Sequence, residues 1–188
     1  MLDAFCKHPF YTKYVQLPTE TDLPAPQIAN NPRYTPYFSN ALGAIDGTHI
    51  NVASTAANKD FSRNRKGSIT QNCLVACNFD LKFVYVFSGM DGSIADANLY
   101  NEARFADLCI PAGKFYLADA GFALSEQLLV PYRGIRYHLQ EWRRGGTGPQ
   151  NREELFNLHH SALCNIVERI FGVSNGISTS WWCLPSTT

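Results

Sequence analysis

No stretch of this sequence approaches eighteen consecutive apolar residues, so no membrane-spanning helix is expected. The opening "MLDAFCKHPFYTKY" has no apolar core fit for a secretory signal, and a soluble, intracellular chain with no membrane association is the expectation. Net charge is absent too: Lys plus Arg and Asp plus Glu both number 16, so there is no global basic field of the kind that grips nucleic acid unaided. There is no internal repeat and no low-complexity segment. A hydrophobic content of 45% against 17% charged residues excludes a disordered chain. The six cysteines are scattered, and a reducing compartment would leave them as thiols. Cys73 and Cys77 tempt a metal reading, but in a strand four residues span about 13 Å, too far to share one zinc.

What is present reads as one domain of 188 residues. Residues 1–40 are rich in proline and polar groups and read as an extended arm laid over the domain. A strand follows around "GAIDGTHINVA", then the polar segment "STAANKDFSRNRKGS". "TQNCLVACNFDLKFVYVFSG" is a hairpin, with two apolar, β-branched and aromatic runs about a turn near residues 78–80. Ala97, Tyr100, Ala103 and Leu108 have helical spacing, with Ser93 or Asp96 as the cap. "GKFYLADAGF" is a short strand, residues 124–129 a short helix ended by Pro131, and "GIRYHL" a fifth strand. The glycine-rich "RRGGTGPQ" reads as a mobile loop, and the longest helix runs from Asn151 to Phe171. Three sequential antiparallel strands followed by strand–helix crossovers imply an α/β fold, a mixed five-stranded sheet flanked by helices.

Three carboxylates sit where carboxylates are costly. Leu42, Ala44, Asp46, Thr48 and Ile50 alternate along one face of the first strand, which puts Asp46 in a row of apolar positions. A half-buried charge there needs a metal or a cation to compensate it. Asp119 continues the apolar row of Phe115 and Leu117 at a strand end, where α/β domains place their sites. Glu168 lies at the border of the buried side of the last helix. Separated carboxylates of this kind suit hard divalent cations, and two Mg²⁺ about 4 Å apart would cleave a phosphodiester. The same pattern also fits surface or capping carboxylates.

"ALGAIDGTHI", "RNRKGSITQNCLVACNFDLKFVYV", "GSIADANLYNEA", "YLADAGF", "PYRGIRYHLQEW" and "ELFNLHHSALCNIVERIFG" together resemble the DDE-type transposase domain of the PIF/Harbinger group over about residues 25–173. The resemblance implies an RNase H-like fold for residues 41–173, with an irregular tail at 174–188. It implies a triad of Asp46 ("IDGTH"), Asp119 ("LADAGF") and Glu168 ("VERIFG") holding two Mg²⁺ or Mn²⁺ ions. The implied activity is DNA endonuclease or transposase chemistry in the nucleus, or in the cytoplasm if unpartnered. DNA, a Myb-like DNA-binding protein and a second copy of the chain are the implied partners.

Asp96 corresponds to a recurrent aspartate of the group and is read as a cap or as a residue just behind the site. Arg63, Arg65 and Lys66, then Arg133 and Arg136, are the candidate phosphate contacts. Tyr132, Tyr137 and Trp142 read as packing residues, and His49 as structural or a DNA contact. The chain departs from the group at His159 and Cys164, where arginines are usual, and in the tail "VSNGISTSWWCLPSTT". A non-catalytic remnant that binds protein or DNA is therefore the alternative expectation.

Overall fold

The computed structural model describes residues 17–51, 70–91 and 93–181. Its centre is β1 (Ala41–Asn51), flanked by β2 (Thr70–Asn78) and β3 (Phe83–Asp91) on one side and by β4 (Phe115–Leu117) and β5 (Leu128–Leu129) on the other. The sheet order is β3-β2-β1-β4-β5. β1, β2 and β3 form an antiparallel meander, while β4 pairs with β1 and β5 with β4 in parallel. With helices on both faces, this is the α/β, RNase H-like arrangement.

A central strand must be apolar on both faces, and β1 is. Ala44 and Ile45 are adjacent and both fully buried, in different clusters. Ile45 packs with Leu99, Tyr100 and Ala103 of α2 (Asp96–Ala106), whereas Ala44 packs with Leu163, Ile166 and Val167 of α4 (Arg152–Trp181). Leu42, expected on the face of Ala44, packs instead with the α2 cluster. The cause is a register shift between Ala41 and Gly43 against β4, which turns the alternation over by one residue. Gly43 lies so near the Cys77 carbonyl that any Cβ would collide with it. Cys73 and Cys77 are buried free thiols of β2.

Residues 26–40 are not extended. They form the short helix α1 (Pro26–Ala29) and a run of turns, and they bury Ile28 and Phe38 in the α4 cluster. Proline at the first helical position has no amide to lose, which is why this segment tolerates a helix.

Two further expectations fail around residues 124–139. Residues 124–129 do not form a helix, because β4 claims their backbone: Tyr116 N donates to Gln127 O and Ala118 N to Leu129 O, each at 3.0 Å. "GIRYHL" is not a strand. The side chain of the fully buried Asn157 takes the place of a neighbouring strand: its Nδ2 donates to Ile135 O and Arg136 O (3.4 Å each), and just before the segment it accepts from Tyr132 N (2.9 Å) and donates to Tyr132 O (3.0 Å). Part of the expected loop is helical, since α3 (Leu139–Gly145) runs into it and ends at Gly146 with φ +63°. Helix α4 starts where predicted, with Asn151 Oδ1 accepting from Glu154 N at 2.7 Å. It continues beyond Phe171 to Trp181, through residues expected to be irregular, because no proline follows Arg152 until Pro185.

Candidate active site

The three carboxylates picked from the sequence come from three separate elements and line one cavity of about 770 Å³. Asp46 stands mid-way along β1, Asp119 two residues beyond the end of β4, and Glu168 on α4. Asp46 is half-buried, and its Oδ1 accepts from Gly47 N at 2.8 Å. Asp119 is also half-buried. Its Oδ1 accepts from Gly121 N at 2.8 Å, a tight turn that holds the carboxyl at the strand end. Glu168 is more open than expected: it is exposed, at the mouth of the cavity.

Asp46 is pushed up from its ordinary value to about 7. Burial is the largest cause, followed by the negative charge of Asp119 and then, beyond the opposing Gly47 hydrogen bond, of Asp96 and Glu168. Every charge that shifts Asp46 is thus another carboxylate, the arrangement expected of a site built to take cations. Oxygen donors of this kind suit a hard divalent ion. Their spacing is open, since among the described residues no three His, Cys, Asp or Glu side chains stand close enough to hold one ion between them.

Asp96 does not cap its helix. The cap position is Ala95, without a side-chain bond, and Asp96 is the first helical residue. Its Oδ1 accepts from Asn72 Nδ2 at 3.0 Å and fills the space that a Cβ on Gly47 would need. Gly47 is therefore a glycine because a carboxylate occupies the place of its side chain.

The remaining candidates divide. Arg133 is exposed, and its Nη2 donates to Phe122 O at 3.0 Å. Arg136, by contrast, is held inside the fold: its guanidinium lies 3.7 Å from the Trp142 ring centroid and bonds Glu154 Oε2 at 3.1 Å. That pairing ties α3 to the start of α4 and removes Arg136 from the phosphate-binding candidates. Tyr132 packs edge-on against Phe156, and Trp142 also donates to Tyr137 O. His49 is exposed on β1, in register with Asn72. Arg63, Arg65 and Lys66 lie outside the described residues.

The sequence profile of the DDE superfamily endonucleases matches residues 45–186, three quarters of the chain and all three carboxylates. The chain belongs to the DDE superfamily endonuclease family. Curated relatives of this DDE chain are the proteins named "Putative nuclease HARBI1" from Rattus norvegicus, 26% identical over 131 residues, and Homo sapiens, 23% identical over 133 residues. The alignments cover 68% and 69% of this chain but 34% of each relative, so the chain spans about a third of their length. No solved structure gives a significant match. DDE superfamily endonucleases generally use divalent metal ions.

Sequence reasoning missed the other wall of this DDE cavity. Tyr137, Glu141, Ser161, Cys164 and Asn165 line it together with the three carboxylates. One signal was present: His160, Cys164 and Glu168 recur at four-residue spacing on a helix, a polar stripe beside the apolar one.

Proposed function

We propose that this chain is the catalytic part of a divalent-cation-dependent DNA endonuclease of the transposase type, with Asp46, Asp119 and Glu168 holding Mg²⁺ or Mn²⁺. The observation that supports it is the convergence of these three residues, 122 positions apart at the extremes, on one cavity where burial and then its carboxylate neighbours push Asp46 up. In this reading Asp46, Asp119 and Glu168 are the residues that would hold the cations. Bound there, the cations would neutralise the non-bridging phosphate oxygens and make water a better nucleophile.

The chain's own residues set the geometry. The half-buried Asp46 is fixed by β1, and Asp119 by the turn at Gly121, so neither carboxylate has to be ordered when DNA arrives. Glu168, exposed on α4, is the ligand able to move. In the reaction the oxygen of water adds to phosphorus. The P–O3′ bond breaks with its electron pair on O3′, the former water loses one proton to solvent, and O3′ takes one up. The products are a 5′-phosphate and a 3′-hydroxyl. Arg133, and Arg63, Arg65 and Lys66 on their segment, are the proposed phosphate contacts. A nuclear location, a Myb-like DNA-binding partner and self-association belong to the same proposal.

A second reading, a non-catalytic remnant that binds protein or DNA, is favoured by the open spacing of the carboxylates. Calorimetric titration of Mn²⁺ and Mg²⁺ into the parent, Asp46→Ala and Asp119→Ala decides between the two. Binding by the parent that both substitutions abolish supports the nuclease. A folded parent that takes up no ion at millimolar metal, with or without DNA, leaves the remnant.

A further inference from the structure

His160 is fully buried, and both its ring nitrogens are engaged. Nε2 lies 2.8 Å from the carbonyl oxygen of Leu129 on β5, and Nδ1 lies 3.2 Å from the hydroxyl of Tyr137. A carbonyl oxygen can only accept, so Nε2 carries the hydrogen. Burial keeps the imidazole neutral, holding it down to about 4, so Nδ1 is left as an acceptor. The Tyr137 hydroxyl must then donate to His160. Its proton is committed to Nδ1, and its oxygen, which also lies within hydrogen-bonding reach of the Cys164 thiol on the cavity wall, can only accept from that thiol or from anything else.

That oxygen belongs to a side chain lining the cavity of Asp46, Asp119 and Glu168. The residue is fixed at both ends of its backbone. Tyr137 N donates to Glu141 Oε2 at 3.2 Å, and Tyr137 O accepts from Trp142 Nε1 at 3.3 Å. The Tyr137 ring also rests on the imidazole of His160, with centroids 5.7 Å apart. A rigid acceptor at a phosphodiester site cannot bind phosphate oxygens, which are acceptors themselves. What it can bind is the O–H of the attacking molecule.

Resting on the nuclease reading of this cavity, we propose that Tyr137 is a catalytic residue whose oxygen accepts a hydrogen bond from the nucleophilic water, aiming a water lone pair at phosphorus, and that His160 is its positioning residue. The hydrolysis is the one written above, and Tyr137 neither gains nor loses a proton in it. Orienting a nucleophile that the cations alone would leave free to rotate accounts for about a tenfold effect, a small part of what full positioning supplies.

The test is steady-state cleavage of duplex DNA in Mn²⁺ by the parent, Tyr137→Phe, His160→Gln and the double variant. Tyr137→Phe keeps the ring and removes the acceptor. Its kcat should fall about tenfold at unchanged KM, measured at a temperature well below a melting temperature that the orphaned Nδ1 of His160 lowers. Once the hydroxyl is gone His160 has nothing left to orient, so the double variant should turn over no slower than the worse single variant. Independent, multiplying losses overturn the positioning role of His160. If His160→Gln does not fold, Tyr137→Phe alone decides. Parent-like turnover by it, or a raised KM at full kcat, overturns the inference and leaves the nuclease reading standing. Absence of cleavage by the folded parent with either metal overturns both.

Discussion

At the scale of single residues, two buried titratable groups pull the stability of the metal-free chain in opposite directions. Asp46 has a folded value of about 7 against an ordinary 3.8. The folded state therefore holds its proton more tightly, and stability falls as pH rises from about 4 to 7, by a ceiling of about 4 kcal/mol. His160 has the reverse sense. Its folded value of about 4 lies below 6.5, so stability is full above pH 6.5 and is lost as pH falls toward 4, by about 3 kcal/mol. Between pH 4 and 6.5 the two slopes oppose each other, and the parent's profile should be nearly flat there. Asp46→Asn keeps an acceptor for Gly47 N but carries no charge. Urea melts in EDTA should show it more stable than the parent at pH 8, and newly sloped, losing stability as pH falls below 6.5. A variant with the parent's flat profile would mean that burial and the neighbouring carboxylates do not strain Asp46.

At the scale of elements, the site depends on how α4 is held against the strands that carry the aspartates. Its apolar side, with Leu163, Val167 and Ile170, was legible from spacing alone, whereas Glu168, expected at the border of that side, is exposed. The polar stripe of Asn157 and His160 was not, because a buried Asn reads as a defect in a helix until its partners are known. Those partners lie 21 to 31 residues earlier, in a segment whose alternating pattern imitates a strand. The same blindness hid β5, whose two residues are strand only because β4 lies beside them. Of the two roles expected of Asp96 the cap fails for a related reason: a general cap rule fits the position, but the carboxylate turns into the place a Gly47 side chain would take, just behind Asp46. Asn157→Ala should therefore do more than lose one contact. It leaves the partly buried Tyr132 N and O without their partner, a loss of about 1–2 kcal/mol by chemical denaturation. It should also raise amide exchange across residues 132–137, the stretch that leads to Tyr137, and normal protection there would show that Asn157 does not hold it.

At the scale of the whole molecule, a fold that gathers carboxylates without cations is one that cations should stabilise. The Asp46 penalty falls on the entire cooperative unit, since β1 is the central strand and both clusters depend on it. An ion that binds only the folded chain adds about 2.7 kcal/mol at a hundred times its dissociation constant. The gain must depend on pH, because below 7 the ion competes with the proton that Asp46 prefers to keep. Thermal melts in Mn²⁺ should accordingly rise by several degrees at pH 8 and by much less at pH 5.5, with Asp46→Asn and Asp119→Asn reducing the rise at both. This argument needs no cleavage to be seen, so it separates the assembly of the site from its activity. A shift of equal size at the two pH values would place the ion elsewhere, on groups already ionised at pH 5.5, and the cavity of Asp46 would then have no claim to it.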